Sequence, residues 1–360
     1  MAQKVGGWQD WHCHDRVNTY EDQFFDHEGG LNEYIDASLP VKQDAVGVLH
    51  RGRAYTEESL EIRLRKLVEA KKVAGETVLY LITDCSPDIE ERSFRVALRL
   101  RKEYADQGFD IKVGAYAIFG FKHFGSEYHR HIEKLAPEAQ FLVGLPERDE
   151  NHPVGFDGHL AILIDLAIKY QIPLQVHVDQ TGDPNENGTE QLIDAVHWRM
   201  VRTPAAERPR VWAVHMLSPA SYDEPRWWNL VRGLKKHNIG VIVCPRATIS
   251  DRQIRSLTVP MHNSITRVKE LLVAGIDLRW GTDNINDLFM PTPKSPLLMR
   301  EIGEEYGVIQ DAIRFYDQTV FEKIARGERL LKTDLARIER SLKGDYAAAG
   351  WYGQRPWRNL

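Results

Sequence analysis

Two rhythms of hydrophobic and polar positions take turns along this chain. Short β-branched or apolar runs give way to longer amphipathic stretches, and the exchange repeats from one end to the other. The short runs predict strands at 5–14, 77–83, 110–118, 141–145, 173–179, 210–215, 240–244 and 277–283. The longer stretches predict helices. One begins near Thr56, where Thr56-Glu57-Glu58-Ser59 places carboxylates in a first turn. Others run to about Gln107 and Leu135, across 158–170 and 189–201, from Pro219 onward, and across 264–274. The segment 15–55 is long, polar and dotted with aromatics, with Gly29-Gly30 in its middle. Compact domains keep such a connection when it has a task, such as covering a site. The stretch 296–341 reads as helical, and the Trp/Tyr/Gly/Arg-rich tail is expected on another surface or another subunit.

Eight strands alternating with eight helices predict an α/β fold, a (β/α)8 TIM barrel. A doubly wound open sheet is the alternative, but no Gly-rich phosphate turn follows any of these strands. No internal repeat or low-complexity linker divides the chain. The barrel is therefore assigned to 1–305, and 306–360 to C-terminal helices and a tail packed on it.

In such a barrel the site lies at the C-terminal ends of the strands. Here those ends carry chemistry. Strand 1 finishes with His12-Cys13-His14, where residues two apart face the same way and present two imidazoles together. Strand 5 ends with His177, strand 6 with His215 and strand 8 with Asp283. Each alone would more often be an ordinary buried histidine or a helix cap. Their convergence on one mouth is the specific signal. Three neutral imidazoles and a carboxylate suit one divalent ion, Zn²⁺ first and Fe²⁺ second, with a position left for water. Such an ion lowers the pKa of its water to roughly 7. Asp283 is the candidate proton acceptor, and His215 is better placed as an oxyanion donor or base than as a ligand.

Composition narrows the class. Hydrophobic residues are 42% of the 360, charged residues 28%, and the formal net charge is −5. With no basic excess or run of like charges, nucleic acid is not an expected partner. The start lacks the apolar stretch of a signal peptide, and no run is long enough to span a bilayer, so no membrane role is expected. Cys13, Cys85 and Cys244 are widely spaced and odd in number, which reads as buried free thiols in a reducing cytoplasm. A small-molecule substrate is the expected partner, and Trp351, Tyr352 and Trp357 point to a homo-oligomer contact.

The set His12-Cys13-His14, His177, His215 and Trp280-Gly281-Thr282-Asp283-Asn284 resembles the amidohydrolase superfamily. Val143-Gly144-Leu145-Pro146, Val176-His177-Val178-Asp179 and Gly281-Thr282-Asp283-Asn284-Ile285-Asn286-Asp287 are similar to its cytosine deaminase-like branch. The resemblance runs from strand 1 past strand 8. It implies that His12, His14, His177 and Asp283 bind the metal and that His215 is an unligated catalytic histidine. Strand 4 has no lysine to bridge two ions, which favours a single-metal site, with Glu147 just beyond it as the residue that would serve a second ion.

The departures set the substrate apart from cytosine. The branch carries a proton-shuttling Glu where Gln180 stands, so Gln180 is expected to bind substrate, with Asp179, Glu186 or Glu190 supplying a proton. The polar substrate-reading stretch after strand 3 is replaced by Ala117-Ile118-Phe119-Gly120, and Asn284 stands where cytosine deaminases have a second aspartate. With His12 so near the start, the N-terminal half of the family's β-sandwich is expected to be missing, and the C-terminal remainder looks helical. The expected reaction is hydrolytic attack on an sp² carbon of a small nitrogen heterocycle, displacing an amino, alkylamino or other group. Trp11, Ile118, Phe119 and Phe289 are the expected apolar lining for the ring. The alternatives are ring opening of a cyclic amide or lactone, and a degenerate barrel that binds a small ligand without turnover.

Overall fold

Parallel strands adjacent in the chain are adjacent in the sheet, which runs β1 (Trp8–His14), β2 (Glu76–Asp84), β3 (Asp110–Tyr116), β4 (Phe141–Gly144), β5 (Leu174–Val178), β6 (Val211–His215), β7 (Ile239–Val243) and β8 (Leu278–Trp280). The computed structural model describes residues 8–20, 37–250 and 265–290, with Phe24, Tyr34 and a few positions between 323 and 337. Every residue of β4, β5, β6 and β7 is buried. Strands covered on both faces have no reason to alternate, which is why they read as continuous apolar runs.

The connecting helices are α1 (Leu39–Arg51), α2 (Glu57–Val73), α3 (Arg92–Ala105), α4 (Glu127–Leu135), α5 (Gly155–Tyr170), α6 (Gly188–Met200), α7 (Glu224–Lys236), α8 (Pro245–Ser250) and α9 (Val268–Val273). Their starts follow from short polar side chains. Thr56 accepts from the Ser59 amide at 3.3 Å, Ser126 from His129 at 3.0 Å and Asp223 from Arg226 at 2.8 Å. Each such cap contributes about 1 kcal/mol. On α3 the buried Phe94, Ala97, Leu100 and Tyr104 form one stripe against the sheet, as helical spacing requires.

α1 corrects the expectation of an irregular segment over 15–55. Lys42, Gln43 and Asp44 near its start and Gly47 in its middle interrupt the apolar pattern. Pro40 sits in its first turn, where the missing amide costs nothing, and Ala45, Val46 and Leu49 pack inward. The last strand is also shorter than expected. The C-terminal helices and tail lie, apart from those few positions, outside the described residues. Among described residues no helix is long and apolar enough to cross a membrane. Cys13, Cys85 and Cys244 are free and buried.

The closure of the barrel decides where the site is. β1 and β8 meet beyond the end of β8, through a single parallel bridge between Cys13 and Asp283. The His14 amide donates to the Asp283 carbonyl at 2.8 Å, and the Asp283 amide to the His12 carbonyl at 2.7 Å. Gly281 permits this approach, because a Cβ there would lie 2.5 Å from the His12 Cβ. Asp10 staples the seam. Its carboxylate accepts from the Thr282 amide at 3.0 Å, the Thr282 hydroxyl at 2.5 Å and the fully buried Lys71 ammonium at 2.6 Å.

Candidate metal centre

The seam that closes the barrel also brings the ligand atoms together. One nitrogen from each of His12, His14 and His177 and one Asp283 oxygen all lie within 4.8 Å of one another, and all four residues are buried. β1 prepares its part by a bulge. Between Asp10 and Cys13 the strand takes three steps while β2 takes two, so Trp11 and His12 share one pairing position before Cys13 and His14 resume the register. Asp283 is held in the left-handed region, at φ 59°, as are Asp179 at 56° and His215 at 70°. Such backbone costs about 1–3 kcal/mol per non-glycine residue and collects where side chains must be aimed.

Hydrogen bonds behind the rings fix which nitrogen faces inward. The Gln175 amide donates from Nε2 to the Trp11 carbonyl at 3.0 Å, so its Oε1 is the acceptor facing His12 Nδ1 at 2.8 Å. His12 therefore carries its proton on Nδ1. His177 Nδ1 faces the Gly144 carbonyl at 3.0 Å, which can only accept, so it too is protonated on Nδ1. The Nε2 atoms of the two rings then face one another, 3.0 Å apart. Asp283 Oδ1 approaches to 3.2 Å of His14 Nε2 and 3.6 Å of His12 Nε2.

Electrostatics support neutral rings around an ionised acid. Burial holds His14 down at about 3 and pushes His177 well below the ordinary histidine value. Burial alone would raise Asp283, but its contacts with the His12 and His14 imidazoles hold its carboxyl well below the usual range. Imidazole nitrogens that converge on one another and on a carboxylate are suited to sharing a cation. The donor types and their outward anchoring are those of a metal site.

Beside this group opens a cavity. It is lined by His14, His177, Asp283 and His215, and by Arg16, Leu39, Gln43, Tyr116, Ile118, Gln180, Ala247, Asn284 and Phe289. His215 lies with its ring centre 5.3 Å from that of His177 and 6.1 Å from that of His12, and burial lowers its pKa to about 4. Gln180, Asn284, Ile118 and Phe289 thus share the cavity with the ligand group.

Trp11, Phe119 and Asp179 are not among its walls. Trp11 stacks at 4.3 Å on Tyr80 and lies 5.1 Å from Trp212, in the packing inside the barrel. Phe119 packs 5.1 Å from His50. Asp179 caps α6, accepting from the Gly188 and Thr189 amides at 2.7 and 2.9 Å and from the Thr189 hydroxyl at 2.5 Å. The other carboxylates of that mouth are also engaged. Glu190 pairs with Arg226 at 2.5 Å, and Glu186 accepts from Ser218 and, at 3.2 Å, from the Thr181 amide. Glu147 keeps one buried carboxyl oxygen without a hydrogen bond, and burial pushes its pKa well above the usual range.

Sequence reasoning missed Gln175, Asp10, Arg16, Leu39, Gln43 and Tyr116. A signal existed for Gln175, a lone amide two positions before His177 in an otherwise apolar strand.

No protein-family model matches the chain. Over 271 residues it is 26% identical to an uncharacterized protein of Haemophilus influenzae (strain ATCC 51907 / DSM 11121 / KW20 / Rd), covering 75% of this chain and 91% of that protein. Among solved structures it is similar to 5-methylcytosine deaminase from Klebsiella pneumoniae liganded with 5-fluorocytosine, at 22% identity and a TM-score of 0.70, covering 94% of this chain and 75% of that one. It is also similar to N-isopropylammelide isopropylaminohydrolase from Burkholderia multivorans ATCC 17616, at 17% identity and 0.61, covering 96% and 75%. Guanine deaminase from C. acetobutylicum with bound guanine follows at 13% and 0.51, covering 93% and 71%. These likenesses establish a shared (β/α)8 fold over nearly the whole chain. It is the fold that the resemblance to the amidohydrolase superfamily implies.

Proposed function

We propose that this chain is a metal-dependent hydrolase of the amidohydrolase superfamily. It attacks an sp² carbon of a small nitrogen heterocycle and displaces an amino, alkylamino or other leaving group. The observation that carries this reading is the convergence of His12, His14, His177 and Asp283, whose ligand atoms all lie within 4.8 Å of one another, with the Nε2 atoms of His12 and His177 3.0 Å apart. The fold is shared with two deaminases and an isopropylaminohydrolase, which supports the reaction class. His12, His14, His177 and Asp283 would hold one divalent ion, zinc by donor type and ferrous iron next. When bound, the ion supplies Lewis acidity and activates water at neutral pH.

The chain's own residues do the rest. Asp283, ionised and aimed at the centre, accepts a proton. His215, neutral at physiological pH and on the cavity wall, donates toward the developing oxyanion. Gln180 and Asn284 orient the ring by hydrogen bonds, and Ile118 and Phe289 cover its faces. Gln180 cannot titrate, so the leaving group's proton comes from another acid at this mouth. Asp179, Glu147 and Glu186 are carboxyls there that burial pushes upward. The amide at Gln180 also favours a second reading, ring opening of a cyclic amide or lactone, which needs no proton at that position. The free buried thiols support a reducing compartment.

Elemental analysis of the purified protein and of His177→Ala tests the reading. About one zinc or iron per chain is expected in the wild type. In the variant, metal content should fall sharply and turnover of amino-, alkylamino- or halo-substituted rings should vanish. Full metal with normal turnover in the variant, or no metal in the wild type after reconstitution, would overturn it.

A further inference from the structure

One cation on the cavity wall has no part in the chemistry above. Arg16 follows His14 by two residues and lines the cavity with Tyr116, Asn284 and Phe289, yet it is only 3% exposed. Its Nη1 donates to Asp84 Oδ1 at 2.7 Å, and its guanidinium carbon lies 5.2 Å from the centre of the Phe289 ring. Its Nε, buried, makes no hydrogen bond. The anchor behind it is itself fixed, since Asp84 Oδ2 accepts from the Tyr55 hydroxyl at 2.5 Å and faces His50 Nε2 at 3.3 Å. The arginine is therefore clamped from behind, with a donor of its planar fork unspent. Asn284 Oδ1, on the same cavity wall, is likewise buried without a hydrogen bond. Buried polar atoms are normally paired by the protein or by something it binds. A guanidinium fork matches paired anionic oxygens better than any neutral acceptor.

We infer that Arg16 holds an anionic oxygen of the substrate, so that the heterocycle this site takes carries a carboxylate or an ionised ring oxygen. The inference rests on the reading of this cavity as the substrate site. It makes Arg16 a specificity residue, setting which ring enters and how the ring is turned toward His215 and Asp283.

The test uses calorimetric titration with three rings of similar size: orotate, which bears a carboxylate; barbiturate, which bears an ionised ring oxygen; and neutral uracil. At least one of the two anionic rings should bind the wild type about 10- to 100-fold more tightly than uracil. Which of them does so identifies the kind of anionic oxygen. In Arg16→Met that ratio should fall to near one. Because this variant leaves Asp84 short of a partner, Arg16→Lys serves as a second probe, keeping a positive charge beside Asp84 while losing the fork, and its ratio should fall in between. A wild-type ratio near one for both anions, or a ratio that both variants keep, would overturn the inference. Metal content measured on each sample separates this failure from that of the hydrolase reading. A metal-free wild type counts against the hydrolase, whereas a metal-loaded protein indifferent to anions counts against Arg16.

Discussion

Two buried histidines have their pKa values pushed in opposite directions, and the contrast explains the site. His177 has a carbonyl at one nitrogen and the Nε2 of another imidazole at the other, and it is pushed well below the ordinary histidine pKa by burial and by its neighbours His12, His215 and His14. His50 is buried too, but Asp84 faces its Nε2 at 3.3 Å and Asp88 its Nδ1 at 2.9 Å, and these carboxylates outweigh burial and raise its pKa. Around His50 the protein supplies the balancing charges, and the Nε of Arg16, at the edge of this cluster, is the donor it leaves over. Asp84 is shared among Arg16, Tyr55 and His50, and Asp15 accepts from the Asp84 amide and Ser93. Arg63 is spent on the carbonyls of Asp15, Val17 and Ala54. Around His177 the groups point at one another and leave the balancing charge to come from outside. A cluster that closes on itself holds structure in place, and one that leaves its centre unbalanced is built for a ligand.

That difference is breakable by mutation. The largest effect is expected at Asp84→Ala, which strands Arg16, His50 and Tyr55 together. Loss of one partner from a buried charge network costs about 3–5 kcal/mol, and denaturant unfolding should show that loss equally with and without chelator. A loss that chelator alters would mean that the two clusters are not separate. Next comes Gln175→Leu, which removes the acceptor fixing the His12 tautomer. Substitutions behind a ligand of this kind cost roughly 10–100-fold in metal affinity, so competition with a chelating dye should show weaker binding while the fold stays stable. Unchanged affinity would mean that the Nδ1 contact does not set the ring's protonation.

The same contrast separates what the sequence made legible from what it did not. The barrel showed itself because strands buried on both faces leave apolar runs, and the ligand set because polar residues ending such runs have few other uses. His12, His14, His177 and Asp283 were readable by position alone. Arg16 was not, since an arginine just past a strand looks solvated until Asp84 and the closure of the barrel bury it. Trp11 belongs to the apolar lining that the sequence suggests for a flat ring. The bulge in β1, which no residue pattern announces, instead leaves it against Tyr80 and Trp212. α1 is hard to read from the sequence because polar residues and Gly47 interrupt its apolar stripe, yet Leu39 and Gln43 carry it to the cavity.

The smallest effect concerns pH and isolates the charge on His50. A histidine whose folded pKa is raised binds its proton more tightly in the native state, so its stabilisation is fully present below the unfolded value of about 6.5 and fades as pH rises through the folded value. Between these two values the native state holds more protons than the unfolded chain, and stability falls with pH by at most about 1.4 kcal/mol per unit. Asp287, whose pKa burial raises to about 7, slopes the same way, so the wild-type curve alone does not single out the imidazole. Subtracting the curve of His50→Asn, which keeps a polar group near Asp84 but cannot titrate, leaves the contribution of His50. The difference should favour the wild type most at pH 6 and shrink steadily above it. A constant difference across that range would mean that His50 is as neutral as His177, and that the two clusters differ in packing rather than in charge.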